Sequence, residues 1–138
     1  MASERVAVGP AIEQILNLAK DVRLSKDRLS DLAVALAEAL SNAAIHGNKL
    51  DRNKRVHIRV SLLPGVRAVI EVKDEGQGFE LSELSDPTHP ERLLTPRGRG
   101  VFLMRQLVDR VEYLDGGSRV VIAVERRPRP EAQAEARQ

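Results

Sequence analysis

Three polar side chains recur at four-residue intervals in a segment that is otherwise apolar. The segment AVALAEALSNAAIHGN spans residues 33–48 and contains Glu38, Asn42 and His46. Because side chains four residues apart lie on the same face of an α-helix, the sequence predicts that a carboxylate, an amide and an imidazole line up there. A buried polar group without a partner costs on the order of 1–3 kcal/mol. The strip is therefore either a functional site or a solvated face with weak i,i+4 contacts.

A second segment with ligand-binding chemistry, DEGQG at residues 74–78, follows a predicted strand. Asp74 at the strand end can accept a hydrogen bond from an exocyclic amine. Gly76 and Gly78 allow the backbone to approach a flat ligand or to adopt a positive φ. The alternative is a hairpin turn, which needs a partner strand directly afterwards. No strand pattern follows, so the segment favours a ligand contact.

A third segment, Gly98-Arg99-Gly100, opens a predicted helix. Helix N-termini present N–H groups and a partial positive charge that bind phosphates, and Arg97 and Arg99 add positive charge. The alternative is an ordinary glycine-rich loop before a helix. The sequence has no GxxxxGK motif followed by Ser or Thr, and no parallel βαβ unit surrounds these glycines. Neither a Walker P-loop nor a dinucleotide-binding fold is therefore indicated.

Helices on both sides of a strand hairpin would position these segments. The apolar period predicts a first helix from Pro10 to about Arg23 and a second helix that Ser25 caps and that runs to about Ile45. Gly47 and Asn48 would end the second helix. Alternation predicts a short edge strand at residues 4–8 and a hairpin of Val56–Leu63 with Arg67–Lys73, turning at Pro64-Gly65.

The second half of the chain is predicted to hold a long loop, a helix and another hairpin. Residues 80–96 show no clear period, and long loops inside compact domains are often functional. Val101, Met104, Leu107, Val108 and Val111 indicate the third helix, and the last hairpin pairs Val111–Leu114 with Arg119–Glu125 around Asp115-Gly116-Gly117. Residues 1–125 would form one domain, and the Pro- and charge-rich residues 126–138 are expected to be disordered.

Composition excludes several classes of protein. The 138 residues include no cysteine, which excludes disulfides, thiolate metal sites and cysteine nucleophiles. The net charge of +2 resides in the tail, where Arg126, Arg127, Arg129 and Arg137 outnumber Glu131 and Glu135. A nucleic-acid site needs clustered basic residues on a folded face, so direct nucleic-acid binding is not expected. No secretory signal or apolar run of about 18 residues is visible, so we expect a soluble cytoplasmic protein without a membrane partner.

The three polar and glycine-rich segments, in this order and spacing, resemble the ATP-binding domain of the GHKL superfamily, which includes gyrase, heat-shock chaperones and sensor histidine kinases. EALSNAAIHGN is similar to the N box, DEGQGF to the first glycine box and GRGVFLMRQLVDRVEY to the second. The resemblance covers about residues 4–125, and the small size and the HGN ending favour the bacterial anti-sigma factor serine kinases of the RsbW/SpoIIAB type. It implies an α+β fold, a two-layer α/β sandwich with a mixed, mostly antiparallel sheet and three helices on one face.

The resemblance also implies a role for each matching residue. Glu38 would be the general base, and Asn42 would bind Mg²⁺ that bridges the phosphates of ATP. Asp74 would accept a hydrogen bond from the adenine amine, with Gly76 and Gly78 shaping the adenine wall.

Further residues would surround the adenine and the phosphates. Residues 80–97 would form a lid over ATP, and Ser118 would support the adenine through water. The residues near the phosphates would be Thr95, Arg97, Gly98, Arg99 and Gly100. His46 belongs to the family pattern with two open roles, a ligand contact or packing at the helix end.

The implied function is an ATP- and Mg-dependent serine/threonine protein kinase that acts as an anti-sigma factor in transcription regulation. It would phosphorylate a STAS-type antagonist, its anti-anti-sigma partner, and sequester a sigma factor. A homodimer is compatible with the resemblance. Two alternatives stay open: a non-catalytic ATP-binding module that acts by sequestration, and a detached histidine-kinase catalytic domain.

Overall fold

A single antiparallel sheet forms one layer of the molecule. The computed structural model describes residues 1–78 and 96–127. Within them the sheet has four strands in the order β1-β2-β4-β3, and all its strand pairs are antiparallel. The strands are β1 (His57–Leu63), β2 (Arg67–Lys73), β3 (Arg110–Leu114) and β4 (Arg119–Glu125). Both predicted hairpins are confirmed, with strand ends within one residue of those expected.

Three helices form the second layer. They are α1 (Val8–Leu18), α2 (Lys26–Ser41) and α3 (Pro96–Leu107). A 3-10 turn, Ala19–Val22, continues α1. The Ser25 side chain accepts a hydrogen bond from the Arg28 backbone N–H at 3.2 Å, which confirms the predicted N-cap of α2. The α+β fold with three helices beside a sheet is therefore confirmed.

The core is aliphatic, as the shortage of aromatic residues predicts. The inward faces of β2 and β4 bring Ile70 opposite Ile122 and Val72 opposite Val120. These residues are buried, together with Leu32, Leu36, Leu40 and Met104 of the helices. Burying each large aliphatic side chain contributes about 1.5–3 kcal/mol. Among the described residues no aromatic side chain is fully buried, and Tyr113 packs against this core half-buried.

Two sequence predictions about element bounds are wrong. Residues 4–8 do not form a strand: a 3-10 turn at Arg5–Ala7 leads directly into α1, and only an isolated Ala2–Arg55 bridge pairs this end of the chain. The third helix begins at Pro96 and ends at Leu107, so Val111 lies in β3. Proline is favoured at a first helical position, and the apolar period that starts at Val101 cannot show a polar first turn.

Two of the sequence predictions concern residues that lie outside the described part of the chain. The predicted lid lies almost wholly in residues 79–95, and the predicted disordered tail lies mostly in residues 128–138. In the part of the chain that the structure does describe, no helix is long and apolar enough to cross a bilayer.

Candidate functional site

A small cavity forms where the end of α2, the segment after β2 and the start of β4 meet. Its lining includes Asn42, Asp74 and Ser118, which come from three separate segments of the sequence. Ala39, Ala43, Val72, Tyr113, Gly117 and Val120 complete the lining. The enclosed volume is about 10 Å³, roughly the space that one water molecule needs. A purine base would therefore have to widen the cavity or occupy its open side.

Asp74 is held firmly at the end of β2. Its side chain is buried, and its backbone N–H donates to the Ser118 carbonyl oxygen at 2.9 Å. Its Oδ1 accepts a hydrogen bond from the Gly76 N–H at 2.8 Å. The carboxylate is thus fixed from both ends of its own turn, with a defined direction at the cavity wall.

Close backbone packing around Asp74 requires glycine at two positions. A Cβ added to Gly47 would overlap the Asp74 carboxyl group, and one added to Gly76 would overlap the Gly47 carbonyl. The sequence predicts Gly47 only as a residue that ends the second helix. The signal that could have revealed more is its place directly after the polar strip, in the HGN run.

Gly78 is also required by its surroundings. Its φ is +80°, and a Cβ there would overlap the Gly116 carbonyl. The turn after β2 therefore packs against the turn between β3 and β4. This contact brings the first glycine segment next to Ser118.

Glu38 and Asn42 converge on Gly100 of α3. A Cβ on Gly100 would lie 2.5 Å from Glu38 Oε2 and 3.4 Å from Asn42 Nδ2. Asn42 Nδ2 is buried and has no hydrogen-bond partner among the described residues. The carboxylate and the amide therefore share one space against the α3 backbone, and the amide group is unsatisfied there.

His46 differs from the other two residues of the strip in its exposure. Residues Asn42–Gly47 form a π-helix that continues α2. A π-helix has i→i+5 hydrogen bonds, so its turn is wider than the α-helical turn before it. His46 is exposed, whereas Glu38 and Asn42 are half-buried. The one-face alignment holds for Glu38 and Asn42, and π segments of this kind are frequent at functional sites.

The remaining predicted contacts divide by location. Gly98 is buried in the first turn of α3, and Arg99 is exposed. Ser118 is engaged within its own turn, where its Oγ donates to the Asp115 carbonyl oxygen at 3.0 Å. Thr95 and the Arg97 side chain lie outside the described residues. The phosphate contacts predicted for these residues stay predictions.

Glu75 gives the rim of this region a fixed negative charge. Its carboxylate accepts a hydrogen bond from the Arg55 backbone N–H, and its Oε2 lies 3.5 Å from His57 Nε2. The Arg55 N–H, with His57 and Lys54 nearby, holds the pKa of the Glu75 carboxyl below its usual value.

No group of three or more His, Cys, Asp or Glu side chains in residues 1–78 and 96–127 could hold a metal ion.

Comparison with protein families gives one match over nearly the whole chain. A family described as the histidine kinase-like ATPase domain matches residues 1–124. Two solved structures share the fold, each with a TM-score of 0.52. One is the mycobacterial sensor histidine kinase MprB, at 24% identity over 72% of this chain and 73% of that chain. The other is the Erythrobacter litoralis EL346 blue-light activated histidine kinase, at 20% identity over 74% of this chain and 31% of that one.

Curated relatives of higher identity are bacterial regulators. The serine-protein kinase RsbW of Bacillus subtilis is 35% identical over 91 residues, 62% of this chain and 56% of the relative. RsbW of Bacillus licheniformis is 31% identical over 107 residues, with 72% and 66% covered. An anti-sigma F factor of Clostridium perfringens is 32% identical over 101 residues, with 70% and 71% covered. The chain thus spans between about half and two thirds of the length of these two RsbW proteins.

Proposed function

The chain belongs to the histidine kinase-like ATPase family, and from that premise we propose that it is an ATP- and Mg-dependent serine/threonine protein kinase with an anti-sigma role. The names of its relatives, serine-protein kinase and anti-sigma F factor, support this class of activity. The protein substrate would be a STAS-type antagonist, and the sequestered partner a sigma factor.

One structural observation carries the proposal. Asn42 shares the space beside Gly100 with Glu38 and lines the same cavity as Asp74. A nucleotide whose base meets Asp74 would extend its phosphates past Asn42 toward Glu38. The site thus offers a base-recognition end and a phosphate end, which a protein-bound nucleotide needs.

The residues present fit a magnesium nucleotide. An asparagine side chain carries an oxygen and an NH₂ group, and rotation by half a turn exchanges them. The buried Asn42 Nδ2 lacks a hydrogen-bond partner among the described residues, so no bond from this nitrogen would oppose a rotation that presents the oxygen to a cation. Mg²⁺ binds through few protein ligands when substrate phosphates and waters complete its shell. When bound, the ion would neutralise charge on the phosphates.

Glu38 would act on the protein substrate. As the substrate hydroxyl oxygen forms its bond to the γ-phosphorus, the Glu38 carboxylate would take the hydroxyl proton. The bond between the γ-phosphorus and the β–γ bridging oxygen would break, and ADP would leave with that electron pair. Because phosphoryl transfer depends mostly on positioning and charge stabilisation, one well-placed base beside the phosphates suffices.

A phosphotransfer assay tests the proposal. Labelled ATP, magnesium and a purified STAS-type protein would be incubated with the wild-type chain and with Glu38→Gln. Loss of a general base typically lowers the rate by about 10²–10⁴-fold, and we expect a loss in that range while calorimetry shows that ATP still binds.

Three other outcomes would contradict the proposal. Equal transfer by both proteins would exclude Glu38 as the base. A stable complex with a sigma factor and no transfer by the wild type would favour a sequestration module. Transfer to histidine would identify a histidine kinase.

A further inference from the structure

Asn48 is a buried side chain that joins three segments of the chain. It is 1% exposed. Its Nδ2 donates to Ser3 Oγ at 2.9 Å and to the Arg55 carbonyl oxygen at 3.0 Å, and its Oδ1 accepts from the Glu75 N–H at 2.7 Å. Each bond leads to a different part of the fold, so the side chain acts as a cross-link.

The Glu75 bond reaches the segment that holds the candidate base-recognition group. Glu75 lies between Asp74 and Gly76, whose own bonds fix the carboxylate. The Asp74 N–H is bound by the Ser118 carbonyl, and the next N–H along the chain is bound by Asn48. Two consecutive backbone groups are therefore anchored on opposite sides, which restricts rotation of the peptide that follows Asp74.

The Ser3 bond connects this anchor to the start of the chain. Ser3 is also 1% exposed, and its Oγ donates to the Lys54 carbonyl oxygen at 2.6 Å. Beside it, Ala2 bridges Arg55, and the Val56 N–H donates to the Met1 carbonyl oxygen at 2.9 Å. Residues 1–3 thus support the far side of Asn48.

We propose that Asn48 is a positioning residue for recognition of the adenine amine, supported by Ser3. This inference rests on the proposed function, in which Asp74 meets the base. Without Asn48 the Glu75 N–H would lose its acceptor, and Asp74 would keep its bonds to Ser118 and Gly76 but lose the restraint on the peptide that follows it. The phosphate end at Asn42 and Gly100 has no bond to Asn48 and would keep its geometry, so the effect would fall on base selectivity.

The experiment measures selectivity between two nucleotides. Calorimetry with magnesium would give dissociation constants for ATP and for inosine triphosphate, whose base carries a carbonyl where adenine carries its amine. We expect the wild type to prefer ATP and Asn48→Ala to lose about fivefold of that preference, in line with one well-made hydrogen bond. Ser3→Ala keeps two of the three Asn48 bonds and should lose about twofold.

A matched control separates selectivity from stability. Asp109→Asn breaks the ion pair between Asp109 and Arg28, which lies at the opposite end of α2 from the site. It should lower the melting temperature and leave the preference for ATP over inosine triphosphate unchanged. Amide hydrogen exchange at Glu75 should speed up in Asn48→Ala and stay the same in Asp109→Asn.

The outcomes distinguish this inference from the proposed function. If the wild type prefers ATP and Asn48→Ala keeps the full preference, Asn48 is merely structural and the inference fails alone. If the wild type binds neither nucleotide, the proposed function fails and the inference with it. Should Asn48→Ala not fold, Ser3→Ala decides: unchanged preference and unchanged exchange at Glu75 would overturn the inference.

Discussion

Two asparagines at either end of one helical segment show opposite states of a buried amide. Asn42 begins the π-helix that Gly47 ends, and Asn48 follows directly. The Asn42 Nδ2 is buried without a hydrogen-bond partner among the described residues, whereas the Asn48 amide has three partners. The same chemical group is thus unsatisfied on the phosphate side of the site and fully satisfied on the base side.

The difference distinguishes Asn42, the proposed ligand-binding residue, from Asn48, whose hydrogen bonds hold the structure together. An unmade hydrogen bond at a buried polar atom costs about 1–3 kcal/mol, so such an atom in a folded protein calls for an explanation. Two arginine nitrogens, Arg28 Nε and Arg119 Nε, also lack a hydrogen-bond partner in the described part of the chain. Their guanidinium groups form ion pairs with neighbouring acids. Asn42 has no such pair, and the proposed function accounts for its unpartnered nitrogen by ligand binding.

Replacing each asparagine by alanine should separate the two roles, with the largest effect at Asn42. Asn42→Ala should lower phosphotransfer by about 100-fold, because a group aimed at developing charge is lost. Its free energy of unfolding should not fall, since the Asn42 Nδ2 makes no bond among the described residues that the variant would lose, and its unmade hydrogen bond costs about 1–3 kcal/mol in the wild type. Asn48→Ala should instead lower the free energy of unfolding by about 3 kcal/mol, because it leaves buried partners unpaired.

Urea denaturation and a phosphotransfer assay check both variants side by side. The ligand-binding role of Asn42 is contradicted if Asn42→Ala transfers phosphate at the wild-type rate. The structural role of Asn48 is contradicted if Asn48→Ala is as stable as the wild type.

Most of the fold could be predicted because its signals are local. Alternating Val and Ile residues set both hairpins, and the apolar period set the middle of α2. The failures concern segments whose structure depends on distant contacts. Residues 4–8 have a strand-like composition, but the start of the chain is held through Ser3 and Ala2 by residues about fifty positions away. The end of α3 was placed too far along the chain, because Val111 continues the apolar period of the helix but lies in β3.

The candidate site could be predicted in part for the same reason. Residue types and spacing indicated Glu38, Asn42 and Asp74. The fold brings Asn42 next to Glu38 at Gly100 and onto the wall of the cavity that Asp74 also lines. The change from α to π geometry after Ser41 has no local signature, so the exposure of His46 could not be predicted from the four-residue spacing. Asn48 was seen only as a helix end, because its partner Ser3 is 45 residues away.

Gly100→Ala tests the phosphate side by crowding it, with a smaller expected effect. The new methyl group would press on Glu38 Oε2, the end of a flexible side chain that can move aside. Folding should therefore be retained, helped by the roughly 0.5–1 kcal/mol that alanine gains over glycine in a helix. Phosphotransfer should fall about tenfold, because the displaced base works from a poorer position.

Gly9→Ala is the matched control for this variant. Gly9 lies in α1, and a Cβ there would meet no atom within 4 Å. It should gain stability with no change in phosphotransfer. Equal activity in the two variants would show that Glu38 and Asn42 do not need the space beside Gly100.

The smallest effect is expected on the base side, at the charge of Glu75. The Arg55 N–H lowers the pKa of the Glu75 carboxyl from its usual 4.5. A carboxyl whose pKa is lower in the folded state adds stability above its unfolded pKa and loses it as the pH falls through the folded pKa. The wild type should thus be slightly more stable than Glu75→Gln at neutral pH, and the difference should begin to shrink below about pH 4.5 and vanish once the pH has passed below the lowered pKa of the folded state. Urea midpoints measured across this range check it. A difference that stays constant with pH would show that the charge of Glu75 does not stabilise the turn that Asn48 anchors from its other side, since a glutamine oxygen can also accept the Arg55 N–H.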